Sequence, residues 1–202
     1  MGLREDKKQR QRQEIVRVAL ELFRERGYDE TRVRDIAARA DISEATFFNY
    51  FSAKDLVLDE LALTQVELFR ETIAYQLGVA EKTVPERIVE TMRAAAVVIA
   101  QDREFQAVLW TRSNLFHSSG VLKQRTHEMY RVLAALFELG QERGEIDRAC
   151  DPMQLAELLI ATYQFTTSNW LIDWWNGHRP REELGARIEA AFEVFLDGCR
   201  AR

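Results

Sequence analysis

Residues 31–51 read TRVRDIAARADISEATFFNYF, and the reading of this stretch decides the fold. Ile36, Ala37 and Ala40 recur at helical spacing, so residues 32–40 form a short helix with one apolar face. Thr31 stands where an N-cap belongs. Ser43 does the same for a second short helix, residues 44–51. Only Asp41, Ile42 and Ser43 separate the two, the short connection of a helix-turn-helix. Asp41 is tolerated there because aspartate accepts left-handed backbone better than most residues. The second helix crowds Phe47, Phe48, Tyr50 and Phe51 together, more aromatic surface than one small core face accepts. Phe47 and Phe51 are four residues apart and share a face. They are expected inward, with Phe48 and Asn49 outward.

Outward from this segment the helical spacing continues almost everywhere. Helix 1 is expected over residues 8–26, with Ile15, Ala19, Leu22 and Phe23 inward and Gly27 ending it. Lys7, Lys8, Arg10 and Arg12 read as a basic arm in front of it, able to reach phosphate or the minor groove. A long helix starts near Lys54, with Leu56, Leu61, Val66 and Phe69 as its stripe. Pro85 opens a fifth helix, and residues 102–116 form a sixth. Ser118–Gly120 is a turn before a seventh helix that Gly144 ends. Asp151 and Pro152 start an eighth, and a ninth closes the chain.

The 202 residues are 47% hydrophobic and 30% charged, enough for a substantial core. Net charge is −5, but its distribution is uneven. Through Lys54 there are 12 basic and 10 acidic residues, and the remainder holds 16 against 23. An acidic protein binds DNA through a locally basic face. No apolar run is long enough to span a membrane, and the polar N-terminus lacks a signal-peptide core, so a cytoplasmic location is expected. Cys150 and Cys199 form no CxxC pattern and suit a reducing compartment, with a redox switch as the minor reading. His117 and His127 share no metal-type spacing. No metal, cofactor or catalytic constellation is expected.

The segment GYDETRVRDIAARADISEATFFNYFSAKDLVLDEL, residues 27–61, resembles the TetR/AcrR family of bacterial one-component transcriptional regulators. Gly27, Tyr28, Thr31, Ile36, Ala37, Ala40, Ser43, Thr46, Tyr50, Phe51 and Lys54 carry the resemblance. Asp41 replaces a glycine common in the family's turn, and Phe48 stands where a tyrosine is frequent, which removes a hydroxyl from that position.

The resemblance implies an all-α protein of about nine helices, with a three-helix DNA-binding domain at 9–69 and a ligand-binding and dimerisation domain at 70–202. It implies DNA contact by Arg32, Ser43, Glu44, Ala45, Thr46, Phe48, Asn49, Tyr50 and Lys54. Hydroxyls and the ammonium would hold phosphate, while Asn49 and apolar side chains would read base edges. Met92, Trp110, Asn114, Tyr130 and Tyr163 are the candidates to line an effector pocket. Leu155, Leu159, Thr162, Thr166 and Asn169, with Ile188, Ala191, Phe192 and Phe195, are expected to pair with their copies in a homodimer. The function so implied is a repressor released from a palindromic operator by a small, largely apolar effector. The alternatives are an activator of the same fold and a small-molecule binding protein with a degenerate DNA motif. Operator binding at physiological salt separates the last from the others.

Overall fold

The computed structural model describes residues 2–112, 121–178 and 183–200. Nine helices and no strand occur among them. The chain divides into two compact units, residues 1–64 with 108–117 and residues 65–107 with 118–202.

The first unit holds α1 (Leu3–Arg26), α2 (Val33–Arg39), α3 (Glu44–Tyr50) and the start of α4 (Asp55–Gln76). Ile15, Val18, Ala19, Leu22 and Phe23 bury one stripe of α1, which packs on α2 with its buried Ile36 and Ala37, and α2 in turn packs on α3 with its buried Phe47. Gly27 ends α1 with φ +84°, a conformation that costs a side-chain-bearing residue energy, and its N–H donates to the Phe23 carbonyl at 3.0 Å. α1 begins at Leu3, so Lys7, Lys8, Arg10 and Arg12 are helical and do not form an arm ahead of it. Thr31 does not cap α2. Its hydroxyl donates back to the Gly27 carbonyl at 2.8 Å, and the α2 N-cap is Arg32, whose N–H donates to Asp35 Oδ2 at 3.1 Å. The hydroxyl is drawn backward because Thr31 is buried beside the end of α1. In α4 the buried stripe is Val57, Leu58, Leu61 and Ala62, and Leu56 is exposed.

The second unit holds the rest of α4, α5 (Val84–Gln101), the start of α6 (Arg103–Arg112), α7 (Val121–Glu142), α8 (Pro152–Trp175) and α9 (Leu184–Asp197). Helix α5 packs on α7 and α9, and α8 packs on the same two, so the four close a ring around one core. Ile88, Met92, Leu133, Phe137, Leu159, Ile188 and Phe192 fill it. Two starts are locally encoded. Thr83 and Glu86 form a reciprocal capping box on α5, and Asp151 Oδ1 accepts the Gln154 N–H at 2.7 Å ahead of Pro152 in α8. Arg87 is fully buried on the inward stripe of α5 and donates to the carbonyls of Gln76 (2.5 Å) and Val79 (2.7 Å). It thereby satisfies the carbonyl end of α4. No helix among the described residues is long and apolar enough to cross a membrane.

Candidate nucleic-acid interface

In the turn between α2 and α3, Asp41 adopts φ +53°, the only non-glycine residue at positive φ among those described. The Ile42 N–H donates to the Ala37 carbonyl at 3.0 Å, which closes the turn. Ser43 Oγ accepts the Thr46 N–H at 3.0 Å and caps α3. The helix is only two turns long, and isolated helices of that length are unstable in water. Tertiary contacts therefore hold it. Phe47 is 0% exposed and Phe51 1%, their ring centroids 5.8 Å apart, and burying each contributes about 1.5–3 kcal/mol. Phe48 is 50% exposed and rests edge-on against Phe47. Ser43, Glu44, Ala45 and Asn49 are exposed as well, and Thr46 and Tyr50 are half-buried. The aromatic excess thus divides between a packing face and an open face.

The C-terminal end of α3 is held by a residue that the sequence reading put elsewhere. Arg12 Nη1 donates to the Tyr50 carbonyl at 2.9 Å, its guanidinium lies 4.2 Å from the Phe51 ring centre, and Nη2 pairs with Glu60 at 2.8 Å. Arg12 is three residues before Ile15, on the buried stripe of α1, and that position was the available signal.

Lys54 is likewise turned into the protein. Its Nζ donates to the carbonyls of Tyr28 (2.7 Å) and Thr31 (2.9 Å) and sits 3.9 Å from the Tyr28 ring centre. Partial burial pulls its pKa below the ordinary value, against the opposing pull of Asp29 and Asp55. Two of its three N–H donors are spent on these carbonyls, leaving one for phosphate. The Tyr28 hydroxyl donates to Asp55 Oδ1, and burial with this bond holds the phenol well above its usual range. Arg112, in α6, pairs with Asp29 at 3.0 Å in the same unit. Arg32, at the start of α2, is exposed, as are Lys7, Lys8 and Arg10 on α1.

This arrangement is matched by the family model described as bacterial regulatory proteins, tetR family, over residues 15–61. Over these residues the chain carries the helix-turn-helix segment of the tetR family of bacterial regulatory proteins. Relatives resemble it along nearly its whole length. The transcriptional regulator TcmR of Streptomyces glaucescens is 27% identical over 98% of this chain and 87% of its own. The fatty acid metabolism regulator protein of Bacillus subtilis is 23% identical over 92% and 93%. Among solved structures, FadR of Thermus thermophilus, a TetR-family repressor in complex with lauroyl-CoA, superposes with a TM-score of 0.74 at 24% identity, covering 95% of this chain and 96% of its own. The chain is a transcriptional regulator of the helix-turn-helix type.

The remaining sequence candidates fall as follows. Met92 and Tyr163 are buried in the second unit, and Tyr130 there is half-buried. Tyr163 stacks on Phe69 with ring centres 6.0 Å apart, and burial pushes its phenol up. Trp110 belongs to the first unit and is not grouped with them. Asn114 lies outside the described residues. Thr91 Oγ1 and Gln106 Oε1 are buried in the second unit with no hydrogen-bond partner among the described residues, Thr167 is buried beside the Tyr163 hydroxyl, and the sequence reading missed all three. An open groove of about 650 Å³ runs between α5 and α9, lined by Arg93, Val97, Gln101, Leu184 and Glu189 among others.

Part of the expected dimer stripe is covered by its own chain. Leu155, Leu159, Ile188 and Phe192 are buried within the single chain, so they face its own core. Thr162, Thr166, Asn169, Ala191 and Phe195 are half-buried. The apolar residues left open on α8 are Leu158, Phe165, Ile172 and Trp175, and on α9 Val194. Helix α8 has two apolar faces, and periodicity alone does not say which one is filled by its own chain.

Proposed function

We propose that this regulator is a cytoplasmic homodimeric repressor that holds a palindromic operator and leaves it when a largely apolar effector binds the second unit. The observation that carries the DNA reading is the open face of α3. Phe48, Asn49, Ala45 and Glu44 stand clear on a helix whose other face is fixed by Phe47, Phe51 and Arg12. Fixing a short helix from behind lowers the entropy lost when its front meets a groove. Asn49 would bond adenine, Phe48 and Ala45 would pack on thymine methyl groups, and Ser43, Thr46, Tyr50 and Arg32 would hold phosphate.

Two copies would join through the exposed stripe Leu158, Phe165, Ile172, Trp175 and Val194. Exposed large apolar groups in a row on one helix are costly in water and favour a partner of the same kind. A twofold dimer presents two recognition helices about 34–36 Å apart, one turn of DNA.

The effector would be an acyl chain, entering among the apolar side chains around Met92 and Tyr163. Thr91, Gln106 and Thr167 would supply the few polar contacts that orient it. The lauroyl-CoA of the Thermus thermophilus FadR structure and the stearoyl-CoA of the Bacillus subtilis one support that class. Binding releases DNA only insofar as the effector prefers the conformation that does not fit the operator. The experiment is selection of bound duplexes from a random library, followed by titration with acyl thioesters and with nucleotides lacking the chain. Enriched palindromes released by the acyl compounds are expected. Enrichment of no sequence, or release by the nucleotides alone, overturns the reading.

A further inference from the structure

We propose that Cys150 and Cys199 are an oxidant-responsive pair, which a hydroperoxide converts to an intrachain disulfide tying the α7–α8 turn to the end of α9. Nothing in their sequence spacing places them together. Three local features do. Gly140 lies so close to its neighbours that an added Cβ would meet Ile146 Cγ1 at 2.7 Å, so α7 ends tight against the chain that returns past it. Gly144 then reverses the chain with φ +72°. Ile146 pairs with Arg200 in an antiparallel bridge, and the Asp147 N–H donates to the Cys199 carbonyl at 2.8 Å. From there a turn, closed by the Cys150 N–H on the Asp147 carbonyl at 3.2 Å, keeps Cys150 close to the Asp147–Cys199 contact. Gln141 Nε2 fixes that turn by donating to the carbonyls of Asp147 (2.9 Å) and Cys150 (2.8 Å).

The Asp147–Cys199 backbone bond, three residues before Cys150, brings the two thiols into one neighbourhood, and Cys150 influences the titration of Cys199 there. Cys199 is buried, and its Sγ–H donates to the Phe195 carbonyl at 3.2 Å. Burial, with the Cys150 thiol beside it, pushes the Cys199 thiol up, so it stays protonated at neutral pH. Cys150 is half-buried and is the one a reagent reaches first. Their roles differ accordingly. The Cys150 sulfur attacks one peroxide oxygen, an S–O bond forms, the O–O bond breaks, and an alcohol or water leaves. The Cys199 sulfur then attacks the Cys150 sulfenic acid. The S–S bond forms, the S–O bond breaks, and the departing hydroxide takes the Cys199 proton as water. Two thiols and one hydroperoxide give one disulfide, one alcohol and one water, with both electrons accepted by the O–O bond. The product joins α9 to the segment leading into α8, the two helices that carry the exposed apolar stripe. The chemistry itself does not depend on the operator or effector readings above.

The test uses the purified full chain, freed of reductant, exposed to hydrogen peroxide, blocked with N-ethylmaleimide and digested without reduction. Expected are a crosslinked peptide pair containing Cys150 and Cys199, loss of both alkylated peptides, their return after dithiothreitol, and a higher melting temperature for the oxidised protein. Cys199→Ser should accumulate a sulfenic acid at Cys150 that dimedone traps, and Cys150→Ser should leave Cys199 reduced. Two thiols that stay fully alkylatable after peroxide would overturn the proposal. So would a sulfinic acid at Cys150 with Cys199 untouched, or a bridge between chains.

Discussion

Arg12→Ala separates a residue that braces the recognition helix from one that touches DNA. Arg12 makes three contacts behind α3. Its charged donor on the partly buried Tyr50 carbonyl contributes about 1.5–3 kcal/mol. Its position over the Phe51 ring adds about 0.5–1 kcal/mol. Its pair with Glu60, whose members are 32% and 25% exposed, adds at most about 1 kcal/mol. The three share one side chain and are not additive, so about 2–3 kcal/mol is the expected loss to the seat of α3. By hydrogen exchange, the last amides of α3 should open roughly 30- to 150-fold more often, with α5 and α7 unaffected. Operator affinity should fall, but the slope of log affinity against log salt should not change, because the guanidinium points inward. A phosphate-binding arginine would lower that slope by roughly 0.9. Exchange within a factor of about three of wild type, or a slope reduced by roughly one, would refute the bracing role.

Asn49→Ala should relax preference at a single base position by about 1–3 kcal/mol and leave the other positions alone, read by competition among single-substituted operators. Phe165→Glu should leave a folded chain that sediments as a monomer, whereas Leu159→Glu should unfold the second unit, since Leu159 is 0% exposed. A monomeric, folded Leu159→Glu protein would restore the stripe expected from the sequence. Arg87→Ala leaves the carbonyls of Gln76 and Val79 without their donor and should cost about 2–4 kcal/mol in thermal melting. A loss no greater than that of Glu86→Ala, an exposed capping change worth about 1 kcal/mol, would show that water replaces it.

What the sequence by itself determined lies where cause and effect are a few residues apart. Ser43 and Asp151 cap helices with N–H groups three residues on, and Asp41 turns the chain at its own φ. Phe47 and Phe51, one helical turn apart, were legible as a packing pair for the same reason. Even there local reading failed at Thr31, whose hydroxyl bonds the Gly27 carbonyl behind it, and at Lys7, Lys8, Arg10 and Arg12, which belong to α1 instead of preceding it. The tertiary structure alone decided what depends on distant partners. Arg12 meets Tyr50 and Glu60, and Asp147 meets Cys199, across stretches of chain that carry no local signal of the meeting. Helix α8 offers Leu155 and Leu159 on one side and Leu158 and Phe165 on the other. Both sides are apolar, so the 3.6-residue period marks each as fit for burial. The packing of α7 and α9 fills the first and leaves the second open. The hydrophobic effect rewards covering apolar surface without regard to what covers it, and only the placement of the other helices settles which face is already covered.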